Sequence, residues 1–351
     1  MPTITAISKN LVHGKTKNLL FVLLLIVLLH NQCAIDNRTG IIMTVKGPVS
    51  ADRMGICLSH EHILVDFIGA DSISDSRYAR AEVINKALPY LKMARNMGCE
   101  TFFECTPAYL GRDPLLLKSL SDSTGLNIIT NTGYYGAYNN KYIPASALNE
   151  SADQLAQRWI NEWENGIDDS GIKPGFIKIS VDGHSLSEFH RRLITAAART
   201  HLKTGLTIAS HTGPFIPAFE QIEILEKESV SPDAFIWVHA NVENELSKIV
   251  GAAKKGVWIS FDNLSDESVN EMVNKLIAMK NNNLLHKVLV SHDAGWYDPA
   301  KVNGGEYKGY TVLFEKLLPA LRRENFTESE IKQILIINPA RAFEIRVRKK
   351  I

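Results

Sequence analysis

The stretch MGICLSHEH, residues 54–62, predicts a buried β-strand that ends in two histidines. Alternate residues of a strand point to the same face, so His60 and His62 can reach one cation while Glu61 points the other way. A His-x-His pair also occurs by chance, and the stretch alone does not distinguish a metal site from three ordinary polar residues. The residues at the ends of the other predicted strands distinguish between these two interpretations.

Seven further β-rich runs follow this first one. They are ETFFECT (100–106), LNIITNT (126–132), GFIKIS (175–180), LTIASH (206–211), AFIWVHA (234–240), GVWISFD (256–262) and KVLVSHD (287–293). Helical patterns separate the runs, as at 77–98, 151–167, 187–205 and 241–256. Eight strands alternating with helices predict an α/β fold, a (β/α)8 TIM barrel. The alternative is an open doubly wound sheet, which lacks its expected glycine fingerprint after the first strand.

Histidines, a lysine and an aspartate recur at the carboxyl ends of these runs. The residues are His60, His62, Lys178, His211, His239 and Asp293. Taken singly, His239 could be a hydrogen-bonded core histidine and Asp293 a helix N-cap. Active sites of this barrel lie at the carboxyl ends of the strands, however, and packing does not explain six such groups at one rim. The pattern predicts a metal site at the C-terminal face of the barrel.

Charge and composition exclude other classes of function. The 351 residues are 45% hydrophobic and 22% charged, with a formal net charge of +1. There is no basic excess or arginine-rich stripe, so we expect no nucleic-acid partner. No internal repeat or linker divides the chain, and we predict one catalytic domain.

The N-terminal residues 1–33 carry the pattern of an export signal. Lysines precede LLFVLLLIVLL (19–29), an uncharged run that would form a helix of about 16 Å, too short for a hydrocarbon core of roughly 30 Å. A basic leader before a short apolar core predicts a signal peptide or a lipoprotein signal. Cys33 follows directly, and two interpretations stay open: lipidation at Cys33 or simple cleavage. We expect an exported protein, periplasmic or anchored to a membrane as a lipoprotein.

The other three cysteines do not form a disulfide framework. Cys99 and Cys105 lie at the two ends of one strand, about 20 Å apart, and cannot pair with each other. A bridge from Cys57 to Cys99 is conceivable, but buried free thiols are the expectation.

Eight motifs in order resemble those of the phosphotriesterase family of the amidohydrolase superfamily. They are SHEH (59–62), TPAYLGRD (106–113), NTGYYGA (131–137), GFIKIS (175–180), SHTG (210–213), VHAN (238–241), SHDAG (291–295) and NPARAF (338–343). The resemblance covers residues 42–345 and implies a TIM barrel with two divalent metal ions, usually Zn²⁺. His60, His62 and Asp293 would bind the more buried ion and His211 and His239 the other, with Lys178 bridging both as a carbamate (N6-carboxylysine). The family also implies a homodimer.

The implied chemistry is hydrolysis of a small-molecule ester, lactone or phosphoester. Imidazole and carboxylate are suitable ligands for Zn²⁺, and a lysine ammonium between two cations would be repelled unless it became an anionic carbamate. A hydroxide shared by the two metals would attack the substrate, and Asp293 would act as the catalytic base. Tyr135 matches the position of a substrate-side tyrosine in lactonase-like relatives.

One departure weakens any specific substrate assignment. Lactonase-like relatives carry an arginine after the seventh strand, where this chain has Asn263. We expect a lactone or carboxylic ester substrate, with organophosphate triesters as the first alternative. The second alternative is a catalytically inactive extracellular binding protein on the same barrel.

Overall fold

The strands of this protein are short, buried and mostly parallel. The computed structural model describes residues 40–350. The strands are β1 (Ile41–Thr44), β2 (Gly47–Ser50), β3 (Ile56–Glu61), β4 (Cys99–Glu104), β5 (Asn127–Ile129), β6 (Asn131–Thr132), β7 (Phe176–Ser180), β8 (Ile208–His211), β9 (Phe235–Val238), β10 (Trp258–Phe261) and β11 (Val288–Val290). Parallel strands that are covered on both faces have continuous apolar sequences. For this reason each predicted run overlaps with one of these strands or, at 126–132, with two of them.

Nine of the strands form two parallel sheets. One sheet has the order β11-β10-β9-β8-β7-β6 and the other has the order β3-β4-β5, while β1 and β2 pair as an antiparallel hairpin. The predicted strand at 126–132 divides between them, because β5 belongs to one sheet and β6 to the other. The expectation of an α/β fold with a parallel sheet is confirmed.

The chain after β11 runs beside the end of β3. The amide of Asp293 donates to the carbonyl of His60 at 3.0 Å, and the amide of His62 donates to the carbonyl of Ala294 at 2.9 Å. The amide of His60 also donates to Oγ of Ser291 at 3.0 Å. These bonds hold the last segment of the larger sheet next to the first strand of the smaller sheet, so polar residues from distant parts of the chain meet here.

Helices follow the strands along the described residues. Their bounds are α1 (Arg80–Asn96), α2 (Pro114–Thr124), α3 (Ala145–Leu148), α4 (Ala152–Asn165), α5 (Glu188–Thr204), α6 (Phe215–Lys227), α7 (Leu246–Lys254), α8 (Val269–Asn281), α9 (Leu318–Arg323), α10 (Glu328–Lys332) and α11 (Asn338–Phe343). π-helical turns at Leu313–Leu317 and Gln333–Ile337 lead into α9 and α11. None of the helices in residues 40–350 has the length and apolarity needed to cross a membrane.

Local sequence explains where the helices next to the site begin and end. A capping box starts α4, in which Oγ of Ser151 accepts from the amide of Gln154 and the Gln154 side chain accepts from the amide of Ser151. Ser187 caps α5 by accepting from the amide of His190, and α5 ends at Gly205 in the left-handed conformation. These caps fix the starts of α4 and α5 and the end of α5.

Aromatic rings fill part of the space between the sheets. Phe103 of β4 stacks on Phe343 of α11 with ring centroids 3.9 Å apart, and Phe176 of β7 lies 5.8 Å from Phe103. The C-terminal helix α11 therefore contributes directly to the core. The NPARAF motif belongs to the same domain as the strands, although it follows all of them in the sequence.

Two expectations about individual segments have different outcomes. Cys57, Cys99 and Cys105 are buried free thiols, as predicted. The export signal at residues 1–33, including Cys33, lies outside the described residues and stays a prediction.

Candidate metal centre

The two histidines of the first motif lie on the same side of the chain. His60 and His62 are both buried, and their ring centroids are 5.4 Å apart. Glu61 points the opposite way and accepts hydrogen bonds from the Ser291 hydroxyl at 2.7 Å and the Ala294 amide at 2.9 Å. The strand geometry expected from the sequence therefore holds at this point, and Glu61 fastens the strand to the last segment of the sheet.

Asp293 brings a carboxylate to these histidines. Its Oδ1 lies 3.0 Å from Nε2 of His62 and 3.6 Å from Nε2 of His60. The backbone of Asp293 is in the left-handed region at φ 55°, which costs about 1–3 kcal/mol for a residue with a side chain. The bond from its amide to the His60 carbonyl helps to hold this conformation.

A second pair of histidines lies beside the first. The ring of His239 is 5.1 Å from that of His60, and the ring of His211 is 4.4 Å from that of His239. His239 follows β9 with a left-handed φ of 61°, as Asp293 does after β11. Four imidazoles that are up to 179 positions apart in sequence therefore form one cluster, with Asp293 Oδ2 3.8 Å from Nε2 of His239.

Lys178 lies in the middle of β7 and is buried beneath this cluster. Its Nζ has no hydrogen-bond partner among the described residues, and it forms no ion pair there. It lines a cavity of about 130 Å³ together with His60, His211 and Asp293. A buried amine that lacks an acceptor is costly, and this one lines a cavity with four of the other site residues, since His62 lines it too.

A carboxylate that we did not predict connects the two histidine pairs. Asp262 follows β10, is fully buried, and has Oδ1 3.2 Å from Nδ1 of His60 and Oδ2 3.6 Å from Nδ1 of His239. It also accepts from the His239 amide at 2.8 Å. The signal in the sequence is its position at the carboxyl end of the seventh predicted strand, GVWISFD. A carboxylate behind Nδ1 directs Nε2 of each ring toward Asp293.

A second buried acid controls the tautomer of His62. Oγ1 of Thr106 donates to Glu104 at 2.6 Å and lies 2.7 Å from Nδ1 of His62. Burial raises the pKa of the Glu104 carboxyl to about 7, and when that carboxyl is ionised it takes the single hydroxyl proton, so that Nδ1 of His62 is the donor to Thr106. The lone pair of His62 is then on Nε2, which faces Asp293.

Three residues of the cluster, His211, His239 and Asp293, have pKa shifts that favour metal binding. Burial lowers the pKa of His211 well below its ordinary value and lowers the pKa of His239 to about 4, so both rings are neutral near pH 7. Burial opposes the ionisation of Asp293, but His60 and His62 outweigh it and hold the pKa of that carboxyl well below its usual range. Neutral imidazoles with an ionised carboxylate are the forms in which these side chains bind metals.

The donor set fits divalent metal ions. His60, His62 and Asp293 offer ligand atoms that all lie within 4.8 Å of one another. The same holds for His60, His239 and Asp262, but two of those contacts involve Nδ1 atoms that turn away from the cluster. Buried atoms without hydrogen-bond partners include Oδ1 of Asp293 and Nζ of Lys178. Nitrogen and oxygen ligands of this kind suit Zn²⁺ and similar ions.

Two cavities open onto the cluster. The smaller contains Tyr135, whose ring lies 5.2 Å from that of His211 and whose pKa is raised far above its ordinary value by burial. The larger has a volume of about 430 Å³ and is lined by His211, His239 and Asp293 on one side. This volume lies in the range of small-molecule sites. Asn263 lines the larger cavity, at the place where an arginine was expected in lactonase-like relatives.

Other polar residues near these strand ends have structural contacts. His292 lies next to Asp293 but turns into the interior, where Nδ1 is 2.7 Å from Oε1 of Glu61 and Nε2 accepts from the Leu313 amide. His190 donates to the Gly136 carbonyl at 3.0 Å. Neither ring faces the cluster.

Comparison with known proteins decides the family. The sequence model of the phosphotriesterase family matches residues 40–343. The chain belongs to the phosphotriesterase family. This match confirms the resemblance noted from the eight motifs. The relatives of this chain include hydrolases.

Several relatives match nearly the whole of their own length. This phosphotriesterase-family protein is 28% identical to the phosphotriesterase homology protein of Escherichia coli, over 84% of this chain and 100% of that protein. It is 27% identical to an aryldialkylphosphatase of Saccharolobus solfataricus (85% and 98%) and 24% identical to an N-acetyltaurine hydrolase of Dictyostelium discoideum (88% and 99%). The relatives include hydrolases of different bonds, so family membership does not identify the substrate.

Proposed function

We propose that this protein is a binuclear metal-dependent hydrolase that acts on a lactone or carboxylic ester. In this proposal the two sheets close into a (β/α)8 barrel, and the backbone bonds between His60 and Asp293 support that closure. His60, His62 and Asp293 bind one divalent ion, and His211 and His239 bind a second. The cluster of ring and carboxylate contacts between 3.0 and 3.8 Å supports the assignment.

The observation that carries the proposal is the buried amine of Lys178. An ammonium at this point would lie under four histidines with no acceptor to offset its burial. A neutral amine can add to CO₂, forming an N–C bond and releasing one proton to solvent. The resulting carbamate is an anion with two oxygen atoms, which suits a position between two cations. Carbamylation of Lys178 is therefore part of the proposal.

The protein groups divide the remaining work of hydrolysis. Two bound divalent ions, in our proposal Zn²⁺, supply polarisation of the substrate C=O or P=O oxygen and lower the pKa of the attacking water. Asp293 orients that water and takes its proton, since its own pKa keeps the carboxylate ionised. Tyr135 is placed to contact the substrate from the smaller cavity.

Asp262 and Thr106 hold the ligands in position and do not touch the substrate. Asp262 faces Nδ1 of two histidines, and Thr106 fixes the proton of a third on Nδ1. Such outer contacts keep each Nε2 lone pair directed at the metal without competing for it.

The substrate assignment rests on the cavity. A carbonyl ester or lactone needs only a polarised oxygen and space for its alkyl groups, and the larger cavity is walled mainly by small or apolar residues such as Val181, Pro214 and Val242. Phosphotriester hydrolysis is the second candidate, because the aryldialkylphosphatase relative aligns over 98% of its length.

A matched pair of lysine variants tests the proposal. Purified protein is assayed on lactones, aryl esters and paraoxon, with and without a chelator and with Zn²⁺ restored. We expect chelator-sensitive turnover that Lys178→Met abolishes and that Lys203→Met, a change at an exposed lysine, leaves intact. Turnover that survives both the chelator and Lys178→Met would contradict the proposal, and a complete lack of turnover with negligible bound metal would favour a binding protein.

A further inference from the structure

The larger cavity carries a carboxylate that the proposed hydrolysis does not use. Asp182 follows β7 and lines this cavity together with the metal-site residues His211, His239 and Asp293. Its side chain is 17% exposed, so most of the group is removed from bulk water. A carboxylate in such a place needs a cation, hydrogen-bond donors or water to offset its burial.

Few hydrogen-bond donors or cations of the protein offset the burial of the Asp182 carboxylate. The Asn139 amide lies 3.4 Å from Oδ1, at the long end of hydrogen-bond distances. Nε2 of His190 lies 3.9 Å from Oδ2, but its proton is already donated to the Gly136 carbonyl at 3.0 Å. No lysine or arginine within the described residues lies within 4 Å of this carboxylate. Among these residues, the basic side chain within that distance is His190.

An exposed aromatic residue shares the lining of this cavity with Asp182. Tyr138 is 64% exposed and lines the same cavity. It begins a left-handed segment with Asn139 and Asn140 (φ 58°, 54° and 62°), and this backbone brings the Asn139 amide to Asp182. The Tyr138 ring is nearly parallel to that of Tyr135, at 16° and 6.5 Å between centroids. Aromatic rings attract ammonium groups through their faces, and a carboxylate in the same cavity adds an opposite charge, so the two side chains together suit a cationic ligand.

The charge of the cavity lining agrees with this chemistry. Lys178 is the one lysine or arginine among the residues that line the two cavities, and it lies beneath the metal site in the smaller one. The larger cavity has carboxylates and no lysine or arginine in its lining. An anionic group next to Asp182 would meet its negative charge, and no lysine or arginine of the lining offsets that repulsion; the metal ions of the proposed centre would lie at His211, His239 and Asp293.

We propose that Asp182 and Tyr138 form an ammonium subsite, and that the substrate is an ester or lactone carrying a positively charged amine. The inference rests on the proposed hydrolytic function and deepens it, since the metal site accounts for the reacting carbonyl and the subsite accounts for the other end of the molecule. Asp182 is a specificity-determining residue in this account, and Tyr138 supplies the ring face for the cation.

Matched esters test the subsite. Three acetate esters are compared, whose alcohol parts end in a trimethylammonium group (choline), the isosteric neutral tert-butyl group (3,3-dimethylbutanol) or a carboxylate. The measured quantity is kcat/KM of wild type divided by that of Asp182→Asn for each ester. Intrinsic reactivity of each ester cancels in this quotient, because both proteins act on the same bond.

We expect the quotient for the trimethylammonium ester to exceed that for the neutral ester by about five- to tenfold, the usual size of one partly exposed charge contact with a cation–π contribution. For the carboxylate ester the quotient should fall below one. Glu188→Gln removes the same charge from an exposed position outside the cavity and should leave all three values unchanged. Tyr138→Leu should reduce the preference for the cation, and Tyr138→Phe should keep it. Equal quotients for the charged and neutral esters would overturn the subsite.

Binding of tetramethylammonium separates this inference from the proposed function. Calorimetric titration does not require turnover, so it decides the matter even if no acetate ester is hydrolysed. Saturable binding to wild type and Glu188→Gln that is lost in Asp182→Asn supports the subsite. Absence of binding to wild type, or equal binding to all three proteins, contradicts it.

Discussion

Replacing Asp262 with asparagine perturbs the one carboxylate that faces both histidine pairs. Oδ1 of Asp262 accepts from the Ser260 hydroxyl at 2.8 Å and lies 3.2 Å from Nδ1 of His60. Oδ2 accepts from the His239 amide at 2.8 Å. Asparagine has the same shape, but one of its two terminal atoms becomes an NH₂ donor. In one orientation the NH₂ group would face the Ser260 hydroxyl and Nδ1 of His60, and in the other it would face the His239 amide.

The magnitude follows from the lost acceptor. Loss of an outer contact of a metal ligand typically lowers metal affinity by about 10- to 100-fold, or about 1.4–2.8 kcal/mol. The metal-free protein should also lose about 1–3 kcal/mol of unfolding free energy, because a buried donor is left unsatisfied. Asp262→Asn should thus weaken metal binding and stability together.

Competition with a chromophoric chelator measures the metal affinity, and urea unfolding of the chelator-treated protein measures the stability. Glu267→Gln is the matched control, since it removes a carboxylate charge from the same loop at an exposed position where the carboxylate accepts from Ser265. The control should stay within about twofold of wild type. A metal affinity of Asp262→Asn within about twofold of wild type would refute the positioning role of Asp262.

Three further predictions follow from individual residues. Burial lowers the pKa of His239 to about 4, so the unfolded state binds the proton first and this ring alone should cost the metal-free protein about 3 kcal/mol of stability as the pH falls from 6.5 to 4; His239→Asn should remove that part of the fall in urea-unfolding free energy. Thr106→Val removes the acceptor of the His62 Nδ1 proton and should lower metal affinity at least about tenfold in the chelator assay, with any value near wild type counting against the tautomer argument. Gly295→Ala should cost about 3 kcal/mol in urea unfolding, because a Cβ there would lie 1.9 Å from the His62 carbonyl oxygen; Gly47→Ala has a similar positive φ but open space and should cost clearly less.

The strands and the histidines could be predicted from sequence because each signal is local. A buried parallel strand is an apolar run, and a polar residue at its carboxyl end remains visible as an exception to that run. Lys178 is the clearest case, since a lysine inside the apolar run GFIKIS has no ordinary place in a core. The predicted cluster of four histidines at strand ends corresponds to a compact set of side chains in the structure.

The contacts that hold the cluster could not be predicted in the same way, because they join residues far apart in the chain. Asp262 lies in FDNLSD, where an acidic residue after a strand looks like any loop residue. Its burial and its distance from His60 depend on how β10 and β3 are placed relative to each other. The link from Glu104 through Thr106 to His62 likewise requires neighbouring strands in a specific register. For Asp182, the absence of a lysine or arginine within 4 Å among residues 40–350 is likewise a property of the fold alone.

The number of divalent metal ions per chain tests the central claim most directly. Elemental analysis by inductively coupled plasma mass spectrometry, on protein freed of loosely bound ions by gel filtration, should give about two ions per chain. Fewer than about 0.2 ions per chain, after attempted loading with Zn²⁺ in the presence of bicarbonate, would contradict a binuclear centre built from His60, His62, Lys178, His211, His239 and Asp293.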